Sequence, residues 1–124
     1  MLDKSSLLAD NLRYMSHDPD YIWQGRDQDG IDTRIAREQW EKHVAKRKEI
    51  EPALPLTIRT LVSPETVEPD HRRSDEPRRY FRLLSSAADE WRPGYRLMVS
   101  VKYVLQQMGE WIKFFQSCWF ERKR

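Results

Sequence analysis

Apolar positions recur at helical spacing in the first half of the chain. A face with the spacing i, i+3, i+4 and i+7 predicts a helix over residues 37–48; its members are Trp40, His43, Val44 and Arg47. Leucines at 7, 8 and 12 predict a short helix within residues 5–14. The sequence LTIRTLV predicts further helical turns after the helix-breaking EPALP. Between these helices, YIWQGR and IDTRIA flank Asp29-Gly30 and predict a β-hairpin with a tight turn.

The second half of the chain alternates apolar and polar positions with a period of two. RRYFRLLS, YRLMVSVKYV and EWIKFFQSCWF are therefore predicted strands. The period places Ser117 on the same side of the last strand as Lys113. Helices followed by strands predict an α+β fold, in which N-terminal helices, after a short β-hairpin, pack on a C-terminal antiparallel sheet of about four strands.

Composition predicts one folded domain. The chain has 124 residues, of which 11% are aromatic, a content that disordered chains lack. Its single cysteine, Cys118, excludes an internal disulfide and predicts no disulfide-linked partner. The sequence has neither a signal-peptide pattern nor an apolar run of the ~20 residues that span a bilayer. We therefore expect a cytoplasmic protein with no membrane partner.

The spacing of the candidate ligands does not indicate a metal or cofactor site. The histidines at 17, 43 and 71 lack the i, i+4 pairing of helical metal sites. A calcium loop that includes Gly30 at its glycine position would end on Ala36, where a bidentate glutamate belongs. Glycines are scattered singly, and Cys118 lies among aromatic residues as a small buried hydrophobe does. No metal and no cofactor is predicted.

His43 admits two interpretations. By itself, a histidine beside Trp40 on a helix face is more often a residue at the edge of the core than a catalyst. The nearby cations Lys46, Arg47 and Lys48 favour the second interpretation, because cations lower an imidazole pKa and attract phosphate. The cations that interrupt the apolar strands either form a groove or are solvated surface residues; they are Arg82, Lys102 and Lys113.

The order of five motifs resembles the phage-associated barnase/EndoU/colicin-nuclease/RelE-like (BECR) superfamily of nucleases. The motifs are REQWEKHVAKRKEI, TIRTLVSPETVEPD, RRYFRLL, YRLMVSVKYV and GEWIKFFQSCWF, over about residues 31–120. The resemblance implies a domain over residues 21–124, preceded by an accessory segment at 1–20 that either forms a helix or binds a partner. The chain departs from its relatives in two places. It has FFQS where their last strand carries a Thr-Ala-aromatic run, and RKEI where they have RHPE.

The resemblance implies a metal-independent endoribonuclease-like domain, toxin or phage-associated, that acts on RNA by general acid-base chemistry. His43 would transfer the proton, and the phosphate would be held by Arg47, Arg82 and Lys102. Tyr80 and Ser117 would position the substrate. Further nucleic-acid contacts are expected from Lys42, Lys46, Lys48 and Lys113.

The alternative is a non-catalytic binding module of the same fold that blocks or recruits a protein or nucleic-acid partner. Trp119 and Phe120, beside the basic C-terminus, motivate this alternative. Besides RNA, the expected partners include an antitoxin or immunity protein.

Overall fold

The computed structural model describes residues 19–70, 80–85 and 92–123, and for Tyr80 and Arg82 it describes the backbone alone. The helix predicted within residues 5–14, as well as His17 and His71, lie outside the described residues. The strands, in chain order, are β1 (Tyr21–Arg26), β2 (Asp32–Ala36), β3 (Thr66–Pro69), β4 (Tyr80–Ser85), β5 (Tyr95–Leu105) and β6 (Trp111–Arg122). Between β2 and β3 lie helix α1 (Arg37–Lys46), a 3-10 helix (Lys48–Ala53) and helix α2 (Leu54–Val62).

The predicted hairpin is confirmed as β1 and β2. The chain turns at Gly30, whose φ of 79° is a left-handed conformation that glycine adopts without a Cβ clash. Asp27 stabilises this turn, because its Oδ1 accepts the amide hydrogens of Asp29 and Ile31, each at 2.9 Å. The helix predicted over 37–48 is confirmed with a slightly earlier end, at Lys46.

The prediction of a C-terminal sheet of about four antiparallel strands is wrong, because the β1–β2 hairpin is part of the same sheet. All strands form one six-stranded sheet in the order β1-β2-β6-β5-β4-β3. Neighbouring strands pair antiparallel, except that β2 and β6 run parallel. In that pair, Asp32 lies opposite Ile112, Thr33 opposite Lys113 and Arg34 opposite Phe114. The described part of the protein is therefore a mixed sheet with two short α-helices inserted after its second strand, and not N-terminal helices packed on four antiparallel strands. Sequence patterns identified β1, β2, β4, β5 and β6 but missed β3, and they could not show which edges pair.

The helices pack on one side of the sheet, which we call the helix-covered face. Its core side chains on β5 and β6 are Leu97, Val99, Val101, Phe115 and Cys118. From α1, Trp40 packs against Phe115 with ring centroids 5.5 Å apart. From α2, Ile58 and Leu61 are fully buried in the same cluster. Removal of this apolar area from water, at about 25 cal/mol per Å², is the main stabilising contribution to the fold.

A β-bulge in β6 reverses the side-chain alternation of that strand. Ser100 pairs with Ser117, whereas the next residue of β5, Val101, pairs with Phe115, so that Gln116 is the extra residue. Phe115 and Cys118 both reach the helix-covered core as a result. Ser117 lies on the other side of the sheet, which we call the opposite face, together with Ser100 and Lys102. The prediction that Ser117 and Lys113 share one side is therefore wrong, because Lys113 is on the helix-covered face.

Candidate functional site

His43 is bonded to the edge of strand β6. Its Nε2 lies 2.6 Å from the carbonyl oxygen and 3.2 Å from the amide nitrogen of Cys118. One turn earlier on α1, Gln39 donates from Nε2 to the Gln116 carbonyl oxygen at 2.5 Å. β2 pairs with β6 only at residues 112–114, so these two side chains bond the part of the β6 edge that β2 leaves unpaired.

This contact determines what the imidazole can do. Because the carbonyl oxygen is the nearer partner, we assign the Nε2 proton to a hydrogen bond donated to Cys118. The ring also meets Phe115 edge-on, at 6.0 Å between centroids, so the side chain is fixed from two sides. A general base needs a free lone pair within reach of its substrate, and Nε2 of His43 is already engaged by the backbone. The geometry is that of a histidine at the edge of the core.

The predicted catalytic residues lie on two different sides of the sheet. Lys102 and Ser117 lie on the opposite face, whereas His43 belongs to α1 on the helix-covered face and Arg47 directly follows that helix. Tyr80 pairs with Lys102 and Arg82 pairs with Ser100, so the register assigns both positions to the opposite face as well. The structure thus brings four of the six residues onto one face and separates His43 and Arg47 from them.

Lys113 is buried. Its ammonium donates to Asp27 Oδ2 at 2.6 Å and to the Leu61 carbonyl oxygen at 2.7 Å, and both side chains of the ion pair are 2% exposed. Burial lowers the pKa of Lys113, and the ion pair with Asp27 opposes that change. Lys113 therefore joins the hairpin turn to the end of α2 and is not placed to contact nucleic acid. Sequence alone offered no sign of this pair, because its members are far apart in the chain.

The other predicted nucleic-acid residues are exposed on or next to α1; they are Lys42, Lys46 and Lys48. Lys42 lines an open concavity of about 820 Å³ that also contains Tyr21 and Phe114. The same concavity is lined by three acidic residues, Asp20, Glu38 and Glu41. Those carboxylates oppose the binding of phosphate, which makes this surface a poorer anion site than the number of lysines alone indicates.

The opposite face carries a cross-strand row in which cations and aromatic residues alternate. Arg34 on β2 pairs with Phe114 on β6, Phe114 pairs with Lys102 on β5, and Lys102 pairs with Tyr80 on β4. We call Arg34, Phe114, Lys102 and the Tyr80 position the cation–aromatic row. Lys102 and Tyr80 were predicted from the sequence, whereas Arg34 and Phe114 were not, because the β2–β6 pairing joins segments about 80 residues apart.

Arg34 is held rigidly in this row. Its Nε and Nη2 donate to the two carboxylate oxygens of Asp32 at 3.1 and 2.8 Å, and its Nη1 donates to the Tyr21 hydroxyl at 3.3 Å. The guanidinium carbon lies 5.1 Å from the centre of the Tyr21 ring. The hydrogen bonds to Asp32 raise the pKa of Arg34, so the guanidinium is a permanent, preorganised cation.

The aromatic residues near the C-terminus are divided between the two faces. Phe120 packs against the helix-covered core, with Arg92 over its ring at 5.3 Å, whereas its neighbour Trp119 pairs with Met98 on the opposite face. They cannot form one stacking surface with the terminal cations.

Other catalytic chemistry has little support in the described part of the chain. Within residues 19–70, 80–85 and 92–123, no group of three histidine, cysteine, aspartate or glutamate side chains is placed to hold a metal ion. Cys118 is a fully buried free thiol whose pKa is raised to about 12 by burial, so it is neither a nucleophile nor able to form a disulfide with a partner. No helix among the described residues has the length and apolarity to cross a bilayer.

Comparison with known proteins found no matching family model, no similar curated protein and no similar solved structure. The geometry of the two faces therefore carries the functional argument.

Proposed function

We propose that the protein binds single-stranded RNA on the opposite face of its sheet. The observation that carries this proposal is the cation–aromatic row, in which Arg34, Phe114 and Lys102 stand on adjacent strands. Unpaired bases stack on aromatic rings and on guanidinium planes, and lysines pair with phosphates. Adjacent strands are about 4.8 Å apart, so the row offers such contacts at short and regular intervals.

The row favours RNA over a purely electrostatic partner. Lys102 contributes a cation for a phosphate, and Arg34, which is held by Asp32, contributes a planar surface more than a free charge. Phe114, half-buried between them, supplies the ring on which a base can stack. We therefore expect binding of unstructured strands, with weak dependence on sequence and strong dependence on salt.

Fluorescence anisotropy with a short labelled single-stranded RNA tests the proposal. Replacement Lys102→Gln should weaken binding about tenfold and make the salt dependence shallower by about 0.7 in the slope of log K against log salt. Phe114→Leu should cost about 1–3 kcal/mol of binding free energy through lost stacking. Lys46→Gln, which removes the same charge from α1, is the matched control and should bind as the unmodified protein does. Equal losses in Lys46→Gln and Lys102→Gln, or no RNA affinity at all, would contradict the proposal.

A second candidate function, cleavage of the bound RNA as in the BECR superfamily, is supported by Glu68. This carboxylate pairs across β3 and β4 with Arg82, whose partner on β5 is Ser100, and Ser100 in turn pairs with Ser117. A carboxylate can act as the general base for a 2′-hydroxyl, and the register puts Glu68 opposite an arginine position, a residue type that stabilises phosphate charge. On this fold, Glu68 replaces His43 as the candidate base. The toxin and phage associations stay predictions, as do the cytoplasmic location and an antitoxin or immunity partner.

RNA cleavage in the presence of a chelator separates binding from catalysis. If the protein cleaves, Glu68→Gln should slow cleavage at least about 100-fold, the usual contribution of a general base, whereas His43→Ala should leave the rate of folded protein unchanged. Binding without any cleavage would eliminate the second candidate and leave the first intact. Loss of cleavage in His43→Ala alone would contradict the assignment of both residues.

A further inference from the structure

A cleft on the helix-covered face belongs to neither proposed activity. It has a volume of about 260 Å³ and, among the described residues, is lined by Ile31, Val67, Phe81, Tyr103 and Trp111. It lies where β5 and β6 approach their connecting turn, since Tyr103 is near the end of β5 and Trp111 begins β6. Val67 is 51% exposed and Trp111 is 43% exposed, so the cleft opens to solvent.

Three aromatic residues from three adjacent strands form its walls. Phe81 comes from β4, Tyr103 from β5 and Trp111 from β6. The register places Phe81 opposite Val101 and Trp111 opposite Leu105, so that the two rings flank Tyr103 diagonally. The rings of Phe81 and Tyr103 are nearly perpendicular, at 84° with centroids 5.4 Å apart, and form a corner. Such an arrangement presents aromatic faces from more than one direction to a group in the cleft.

Two exposed carboxylates flank the described part of the cleft. Asp29 lies on the turn before Ile31, and Glu110 directly precedes Trp111. Among the described residues that line the cleft there is no cation, and the nearby Lys113 is paired with Asp27 at 2.6 Å. Arg26, at the same turn as Asp29, donates to the Gly30 carbonyl oxygen. Burial, together with the negative charges of Asp27 and Asp29, raises the pKa of Tyr103 to about 12.

We propose that the cleft receives an arginine side chain from an extended segment of a partner protein. The guanidinium would stack on the rings of Phe81, Tyr103 and Trp111, in reach of the field of Asp29. Arginine fits better than lysine, because a guanidinium is planar and weakly hydrated, whereas an ammonium loses more hydration on entering an apolar cleft. The aliphatic stem of the arginine would contact Ile31 and Val67. The inference is independent of RNA binding, which uses the opposite face.

The exposed apolar residues beside the cleft favour a protein segment over a free small cation. Leu105 is 50% exposed and Met108 is 90% exposed, and both lie on the strand end and turn that border Trp111. Aliphatic residues that flank an arginine in a peptide would cover them. Large exposed apolar residues beside an aromatic anchor site are typical of protein recognition surfaces.

Two peptides that differ in one atom test the proposal. The probes are acetyl-Ala-Leu-Arg-Leu-Ala-amide and its counterpart with citrulline, a neutral isostere of arginine. The readout is the NMR signal of the Trp111 indole N–H, identified by its loss in Trp111→Phe. The arginine peptide should shift this signal with a Kd at least tenfold below that of the citrulline peptide. Equal affinity of the two peptides, or no shift with either, would overturn the proposal.

Variants on the cleft rim separate charge recognition from apolar contact. Asp29→Asn should weaken binding of the arginine peptide two- to fivefold, and Trp111→Leu at least fivefold; both replace exposed residues and should fold normally by circular dichroism. Glu49→Gln, which removes an exposed carboxylate from the 3-10 helix, should bind unchanged. An equal effect of Glu49→Gln and Asp29→Asn would mean that the net charge of the protein alone attracts the peptide, and this would overturn the proposal. So would a concentration-dependent shift of the Trp111 signal without peptide, which would identify a second copy of the chain as the occupant.

Discussion

The imidazole Nε2 of His43 lies 2.6 Å from the carbonyl oxygen of Cys118, and this contact joins α1 to the edge of β6. The hydrogen bond occupies the position that β2 would have filled if it had continued along β6 beyond residue 114. Helix α1 therefore uses its histidine for the sheet and leaves its lysines in solvent. Its histidine supports the sheet, and the candidate binding residues lie on the faces of the sheet.

Replacement His43→Ala should destabilise the fold. The Cys118 carbonyl would lose its partner on the β6 edge, and we expect the free energy of unfolding to fall by about 1–3 kcal/mol. Urea denaturation measures this change. Lys42→Ala, one position earlier and exposed, is the control and should change stability by less than about 0.5 kcal/mol. A His43→Ala protein as stable as the unmodified one would show that the contact contributes nothing.

Because of the bulge at Gln116, we expect a thiol at position 117 to react with maleimide in the folded protein and the thiol at position 118 to be protected. Cys118 points into the helix-covered core and is 0% exposed, whereas Ser117 lies on the opposite face and is half-buried. Wild-type Cys118 should react with maleimide only after unfolding. A thiol introduced by Ser117→Cys in a Cys118→Ala background should react without unfolding. Protection of both positions would mean that β6 has a different register.

The ion pair of Asp27 and Lys113 predicts strong coupling between two substitutions. Asp27→Asn leaves an uncompensated buried ammonium, and Lys113→Met leaves a buried carboxylate, so each should cost about 3–5 kcal/mol of stability. The double variant removes both charges and should cost less than the sum of the single variants by at least about 2 kcal/mol. Additive losses in the denaturation experiment would contradict a direct pair.

Alkaline pH should destabilise the protein partly through Cys118. Burial raises the pKa of this thiol from 9.0 to about 12, so the folded state keeps a proton that the unfolded state releases above pH 9. The stabilising contribution is complete below pH 9 and is lost as the pH rises from 9 towards 12, by up to about 1.4 kcal/mol per pH unit. Tyr103, whose pKa is also raised to about 12, adds a loss of the same sign.

Cys118→Ala isolates the thiol from the other groups that titrate in this range. Between pH 9 and 10.5, the unfolding free energy of the unmodified protein should fall more steeply than that of Cys118→Ala, by about 1–2 kcal/mol over the interval. Tyr103 and Lys113 titrate in both proteins, so their contributions cancel in the comparison. Parallel pH profiles would show that the thiol is not protected in the folded state.

Local patterns in the sequence predicted most of the described elements and one turn correctly, but they missed β3 and the 3-10 helix. Asp29-Gly30 specified the hairpin because a tight turn needs a positive φ, and the Trp40 face specified α1 because its apolar spacing is helical. The three late strands were visible from their two-residue period. These features depend on residues within a few positions of each other, which a single sequence displays.

Local patterns could not predict which strands pair in the sheet or which residues form the cation–aromatic row. The parallel pairing of Arg34 with Phe114 depends on the shape of the whole fold, and a single inserted residue at Gln116 reverses the direction of Ser117. The partner of Lys113 lies across the sheet in the hairpin turn. A strand lysine looks the same in sequence whether it is solvated or buried against a carboxylate.

Chemical-shift mapping of backbone amides during a titration with single-stranded RNA locates the binding surface. We expect the largest changes at the opposite face, around Arg34, Lys102 and Ser117, and no comparable change at Lys46 or Lys48. The largest changes along α1 and the residues that follow it, from Lys42 to Lys48 and including His43, would contradict RNA binding at the opposite face and return the nucleic-acid site to α1.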